Sequence, residues 1–107
     1  MTPTVQQFDI VENVNLVTRS RYPFLIVLQH DRVSTAATVI VAPLTESKPA
    51  LASSKLHPSV TVRDRRYSLM TEELAAVNRR SLGQVIGSAE SLRYAIIAAI
   101  DLCFTGI

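Results

Sequence analysis

A chain of 107 residues, 48% of them apolar and carrying a net charge of +2, is long enough for one hydrophobic core and too short for two. That balance excludes a disordered chain, and the longest apolar run, Tyr94 to Ile100, falls far short of the roughly 20 residues needed to cross a bilayer. A lone cysteine, Cys103, excludes an internal disulfide, and the opening residues lack the basic-then-apolar order of a secretory signal. The expectation is a single domain over 1–107, soluble and cytoplasmic, with no membrane partner.

After a polar leader containing Pro3, Phe8-Asp-Ile-Val-Glu12 reads as a first strand with Phe8 and Ile10 turned inward. Pro23 opens Phe24-Leu-Ile-Val-Leu-Gln29, a β-rich apolar run too short for an ordinary helix. His30 to Ala37 form a polar connection. Thr38-Val-Ile-Val41 follows as the next strand, expected to end at Ala42-Pro43 because proline cannot donate to a ladder. Leu44 to Ser59 change to Thr, Glu, Ser, Lys, Pro and Ala, an excursion of weak structure. Val60-Thr-Val and Tyr67-Ser-Leu-Met flank Arg63-Asp-Arg-Arg66, which predicts a hairpin with Asp64 as turn former. Leu74-Ala-Ala-Val77 is a further short apolar segment, and Asn78 to Gly87 lead into the final element.

That element predicts a helix from Ser88 almost to Ile107. Ser88 is a suitable N-cap, Glu90 suits the positive end of the helix dipole, and Gly106 suits a left-handed C-cap. Leu92, Ile96, Ala99, Ile100 and Cys103 form one apolar stripe, yet Ala95, Ile97, Ala98, Leu102 and Phe104 leave the other side apolar too. Either the helix is buried within its own domain, or one face packs on a sheet while the end bearing Phe104 and Ile107 meets a partner.

No catalytic, metal or cofactor constellation emerges from spacing. His30 and His57 have no His, Cys or carboxylate at metal-ligand spacing, and the adjacent Glu72-Glu73 point apart and read as a solvated face. Three scattered glycines make no phosphate loop. The clusters Arg63, Arg65, Arg66 and Arg79, Arg80 read first as solvated turns and second as contacts for an acidic partner or phosphate. Arginine beside Ser or Thr also leaves an endoribonuclease open.

In order along the chain, Ser20-Arg-Tyr22, Gln29-His-Asp31 with Thr35, Val41-Ala-Pro-Leu44, Leu56-His-Pro58, Asp64, Met70-Thr71, Ala75 with Val77, and Ala99-Ile-Asp-Leu-Cys-Phe-Thr-Gly-Ile107 resemble the CcdB family of toxin–antitoxin toxins that poison DNA gyrase. The resemblance implies a mainly β fold with a C-terminal α-helix, an SH3-like barrel of a five-stranded antiparallel sheet plus a small side sheet. It also implies a homodimer, with no catalytic residue, metal or cofactor, that binds the gyrase A subunit through its C-terminal tips. A cognate antitoxin with a disordered tail neutralises such toxins and supplies their only link to DNA, through repression of the shared operon. Carried onto this chain, the target-binding residues are Arg32, Val33, Asp101, Phe104, Thr105, Gly106 and Ile107. Three of these depart from the family pattern: Thr105 stands where the family has tryptophan, Asp101 where it has asparagine, and Arg32 where it offers isoleucine. The departures leave open a different protein target or lost gyrase toxicity, and an endoribonuclease toxin on the same barrel is a further alternative.

Overall fold

The structure, a computed structural model, describes residues 4–33 and 37–107. Pro3 and Thr35 lie outside the described residues. Seven strands run in chain order as β1 (Asp9–Asn13), β2 (Phe24–Val27), β3 (Thr38–Glu46), β4 (Ser59–Val62), β5 (Arg65–Leu69), β6 (Ala75–Asn78) and β7 (Leu82–Ser88). A four-residue helix α1 (Pro49–Ala52) follows β3, and α2 (Arg93–Thr105) closes the described chain. Short 3-10 turns occupy Asp31–Val33, Thr71–Glu73, Arg79–Ser81 and Glu90–Leu92.

The strands pair antiparallel in the order β4-β5-β3-β2-β1-β7, with β6 joined to β3. The nine-residue β3 is therefore shared. Its first half belongs to a five-stranded layer, β7-β1-β2-β3-β6, and its second half to a small layer, β3-β5-β4, as an SH3-like barrel requires. Pro43 sits at the changeover. Thr38–Val41 pair with β6 and Leu44–Glu46 with β5, so the missing proline N–H falls between two partners and forfeits no ladder bond, while its carbonyl accepts from the Met70 N–H at 2.9 Å. The expectation that β3 ends at Pro43 is corrected on that ground.

The hairpin between β4 and β5 is as expected. Arg63 and Asp64 have φ of 51° and 66°, the left-handed pair of a type I′ turn whose twist matches that of the flanking strands. Arg65 and Arg66 are strand residues, however, and only Arg63 shares the turn with Asp64. Strand β7 is the element that spacing missed. Leu82 alone in it is buried, and Gly83 lies so close to β1 that a Cβ there would stand 2.7 Å from the Glu12 carbonyl oxygen. A strand chosen for close backbone approach carries little apolar alternation to read.

The main core joins Ile10, Phe24, Ile26, Leu44, Tyr67 and Leu69 of the two layers to Ile96 of α2, with Phe24 and Tyr67 in an edge-to-face contact at 5.3 Å. The alternate positions Val11, Val27, Val39 and Val41 gather with Val5 and Leu82 in a second cluster. Phe8 is buried at a positive φ of 70°, a backbone strain that its contacts hold in place. Its N–H donates to Val27, its carbonyl accepts from Ala89, and the Arg93 guanidinium lies 5.6 Å from its ring centre. Entry into α2 is thereby tied to β1 and β2.

Ser88 does not cap α2. It ends β7, paired with Asp9, and its Oγ accepts from the Glu90 N–H at 3.1 Å to begin the 3-10 turn that precedes the helix. Gly106 does terminate α2, with φ of 79° and its N–H donating to the Leu102 carbonyl at 3.0 Å. Ile96 and Ala99 are buried, and Leu92 and Ile100 pack beside them, whereas Tyr94, Ala95 and Ala98 face solvent. No helix among the described residues is long and apolar enough to cross a membrane.

Candidate functional site

Apolar side chains collect at the end of α2 and are left largely uncovered by the described residues. Phe104 is 68% exposed and Ile107 94% exposed, on either side of Thr105 and Gly106. Gly106 supplies the left-handed residue that turns the backbone out of the helix, which presents Ile107 beyond the last turn. Thr105 fixes that geometry from within. Its hydroxyl donates to the Asp101 carbonyl at 2.6 Å and accepts from the Ile107 N–H at 3.4 Å, so a single side chain ties the last helical turn to the residue after the cap. Asp101 is exposed one turn earlier, and no ion pair engages its carboxylate among the described residues.

The structure thus brings Asp101, Phe104, Thr105, Gly106 and Ile107 into one contiguous tip. Arg32 and Val33 belong elsewhere, to the 3-10 turn after β2. That turn is held by the Gln7 N–H donating to the Asp31 carboxylate at 2.8 Å, by the Arg32 N–H donating to His30 Nδ1 at 3.0 Å, and by Gln29 Nε2 donating to the Val33 carbonyl. Both residues are exposed, and no hydrogen bond or ion pair joins them to the tip among the described residues. The tip can insert apolar groups into a partner, and the turn can add a guanidinium at a separate point.

Two features escaped sequence reasoning. His57 is not isolated, because its Nε2 lies 2.9 and 2.7 Å from the two carboxylate oxygens of Glu72, fifteen positions along the chain. A carboxylate only accepts, so Nε2 carries the proton and donates. The pair pins the segment before β4 to the Thr71–Glu73 turn on which α2 rests, while Glu72 and Glu73 both stay exposed, as expected of a solvated face. No spacing rule could have joined two residues from different loops. The second feature is a cleft of about 740 Å³ lined by Arg21, Glu46, Ser47, Lys48, Arg65 and Arg66, with Pro23, Pro49 and Tyr67 among its apolar walls. Arg63 and Arg79 do not line it, so the arginines that cluster in sequence are divided by the fold.

Among the described residues, no group of three or more His, Cys, Asp or Glu side chains is arranged to hold a metal ion. Cys103 is half-buried on the helix.

The fold is shared with solved structures described as endoribonucleases and as a toxin. An endoribonuclease from a mycobacterial species, solved with its cognate antitoxin, superposes with a TM-score of 0.73 at 12% identity, over 94% of each chain. Another structure, described as an endoribonuclease from a mycobacterial species, gives 0.71 at 11% identity, over 96% of this chain and 93% of that one. A structure described as an Mtb toxin gives 0.70 at 18% identity, over 89% and 99% respectively. At such identities the likeness concerns the architecture alone. Sequence carries the finer assignment: the model of the family described as CcdB protein matches residues 7–106, from the segment before β1 to the capping glycine of α2. With that match extending over nearly the whole chain, the protein belongs to the CcdB family.

Proposed function

We propose that this chain is the toxin of a type II toxin–antitoxin module and that it inhibits DNA gyrase without catalysing a reaction, as a wedge. Two copies act together as a homodimer, and their α2 tips bind the A subunit. Phe104 and Ile107 are the apolar anchors, Thr105 and Gly106 set the tip geometry, and Asp101, Arg32 and Val33 contribute the flanking contacts. A cognate antitoxin neutralises the toxin with a disordered tail, and the two jointly repress their operon through the antitoxin's contact with DNA. The observation that carries this reading is the exposure of Phe104 and Ile107 at the end of a capped helix, in a chain of the CcdB family.

An aromatic or aliphatic anchor seated in a partner's pocket contributes on the order of 2–4 kcal/mol, enough for a tip of few residues to determine affinity. Expression in a susceptible host, with DNA breaks dependent on gyrase as the measurement, tests the target. Growth arrest with those breaks supports the reading, and growth arrest without them assigns the toxin a different target.

A different protein target, or loss of gyrase toxicity with antitoxin binding retained, is the second reading. It is favoured by Thr105, whose hydroxyl is already engaged within the tip and offers no aromatic surface. An endoribonuclease is the third, favoured by the arginines of the cleft. Incubation with single-stranded RNA discriminates: RNA left intact at high protein concentration removes it.

A further inference from the structure

Arg32 and Val33 are placed by the side chains around them. Gln29 joins their turn to the sheet, since its Oε1 accepts from the Ile40 N–H of β3 at 3.2 Å while its Nε2 donates to the Val33 carbonyl. Asp31 is tied to the segment before β1 by the Gln7 N–H, and the 3-10 bond itself runs from the Val33 N–H to the His30 carbonyl at 2.9 Å. The Arg32 N–H precedes that first bond, so no carbonyl within the turn can satisfy it. His30 Nδ1 does so, at 3.0 Å.

His30 thereby fills the N-cap position, where a Ser, Thr or Asn oxygen ordinarily accepts from the second or third amide. A hydroxyl or amide oxygen keeps that role at every pH. An imidazole accepts only when neutral: with the proton on Nε2 the Nδ1 lone pair is free, whereas an imidazolium carries hydrogen on both nitrogens and only donates. Histidine makes that change between about pH 5 and 8. The surrounding charges are few. Asp31 accepts from Gln7, Asp9 at the start of β1 accepts from the Gln6 N–H at 2.8 Å, and Arg32 only donates. On the neighbouring strand β3 no titratable side chain occurs between Thr38 and Thr45, and Arg79 and Arg80 stand past β3, after β6. No ion pair engages His30 among the described residues.

We infer that His30 is a pH-sensitive positioning residue for the contacts made by Arg32 and Val33: the neutral imidazole caps their turn, and protonation releases it. Release frees two exposed side chains from the arrangement that a partner meets, so recognition at this point weakens as pH falls. The inference rests on the gyrase reading only for the partner that these residues touch; the cap stands without it.

The isotope-labelled full chain is followed by NMR from about pH 8 to about pH 5, where a scalar coupling between the Arg32 amide nitrogen and His30 Nδ1 reads the bond directly. The coupling should be present while the imidazole is neutral and vanish as it protonates. Calorimetry with the purified gyrase A subunit at both ends of that range then compares the unsubstituted chain with His30→Asn, whose side-chain oxygen caps at either pH, and with His30→Ala. The unsubstituted chain should lose about three- to tenfold in affinity at the acid end relative to His30→Asn, and His30→Ala should be weaker than His30→Asn by a similar factor at both ends. A role in folding alone would give no such pH profile, and circular dichroism at both ends establishes that each protein is folded. Absence of the coupling in the neutral, folded chain, a coupling that survives protonation, or gyrase binding by the unsubstituted chain that follows His30→Asn at both ends overturns the inference. A chain that binds no gyrase, yet whose coupling comes and goes with protonation, keeps the cap and discards the gyrase reading.

Discussion

Replacing Thr105 with tryptophan separates the two explanations of the tip. The threonine hydroxyl makes two bonds there, at 2.6 Å to the Asp101 carbonyl and at 3.4 Å from the Ile107 N–H. Both are solvent-exposed, which puts each at the low end of the roughly 0.5–1.5 kcal/mol net that a hydrogen bond contributes, so their joint loss costs folding about 1 kcal/mol. The bond from Gly106 to Leu102 is backbone and survives. If gyrase is the target, an indole at this exposed position adds an anchor worth on the order of 2–4 kcal/mol, a gain of roughly 30- to 1,000-fold in affinity. Binding of the purified gyrase A subunit by calorimetry, with unfolding followed in parallel, reads both quantities. Thr105→Trp should tighten binding and increase gyrase-linked DNA breaks while the melting temperature stays within a few degrees. Unchanged or weaker binding by a folded variant would refute the anchor argument and make the threonine-tied tip the geometry selected for a different target.

Phe104→Ala should abolish growth arrest with a stability loss of about 1 kcal/mol or less, because only about a third of the ring is buried and full burial is worth roughly 1.5–3 kcal/mol; comparable losses of toxicity and stability in urea titrations would instead make Phe104 part of the scaffold. Ile96→Ala, at a fully buried position of α2, should cost 2–5 kcal/mol and lower the melting temperature by on the order of 10–20 °C, with a drop of only a few degrees sinking the assignment of the helix to the core. Gly83→Ala should destabilise by about 1–3 kcal/mol, since its Cβ would meet the Glu12 backbone, and a neutral outcome in the same melting assay would contradict the close approach of β7 to β1. Arg63→Asn/Asp64→Gly should stabilise by about 1 kcal/mol, because both turn residues are left-handed and the replacements are those a type I′ turn prefers; destabilisation would argue against that turn.

Where local chemistry and burial agreed, the chain was readable. Phe24–Val27 has too few residues for a helix and too many branched or aromatic ones for a loop, and Arg63-Asp64 between two alternating runs fits a hairpin turn, so β2 and the β4–β5 hairpin were legible. Pro43 misled because the argument against proline assumes one neighbour per strand edge, whereas β3 exchanges β6 for β5 at that residue. Such an exchange is a property of the sheet, invisible until the strands are placed. Strand β7 was illegible for the opposite reason, since its role is to bring backbone close to β1, and Gly83 does so by having no side chain to leave a pattern.

The tip divides in the same way. Phe104, Gly106 and Ile107 could be assigned from residue type alone, since an aromatic, a left-handed glycine and an aliphatic residue in that order already describe a helix end with apolar groups on it. Thr105 could not. In sequence it is the residue that lacks an aromatic ring; in the structure its hydroxyl bridges Asp101 and Ile107. A tip that spends a side chain on its own geometry holds Phe104 and Ile107 in fewer arrangements before any partner arrives, and the entropy not lost on binding offsets part of the missing anchor. Thr105→Val, which keeps the shape and removes both bonds, should therefore weaken partner binding through a faster dissociation rate while leaving the fold intact. An unchanged dissociation rate would mean that the hydroxyl bridge contributes nothing to recognition and that threonine there is only the absence of tryptophan.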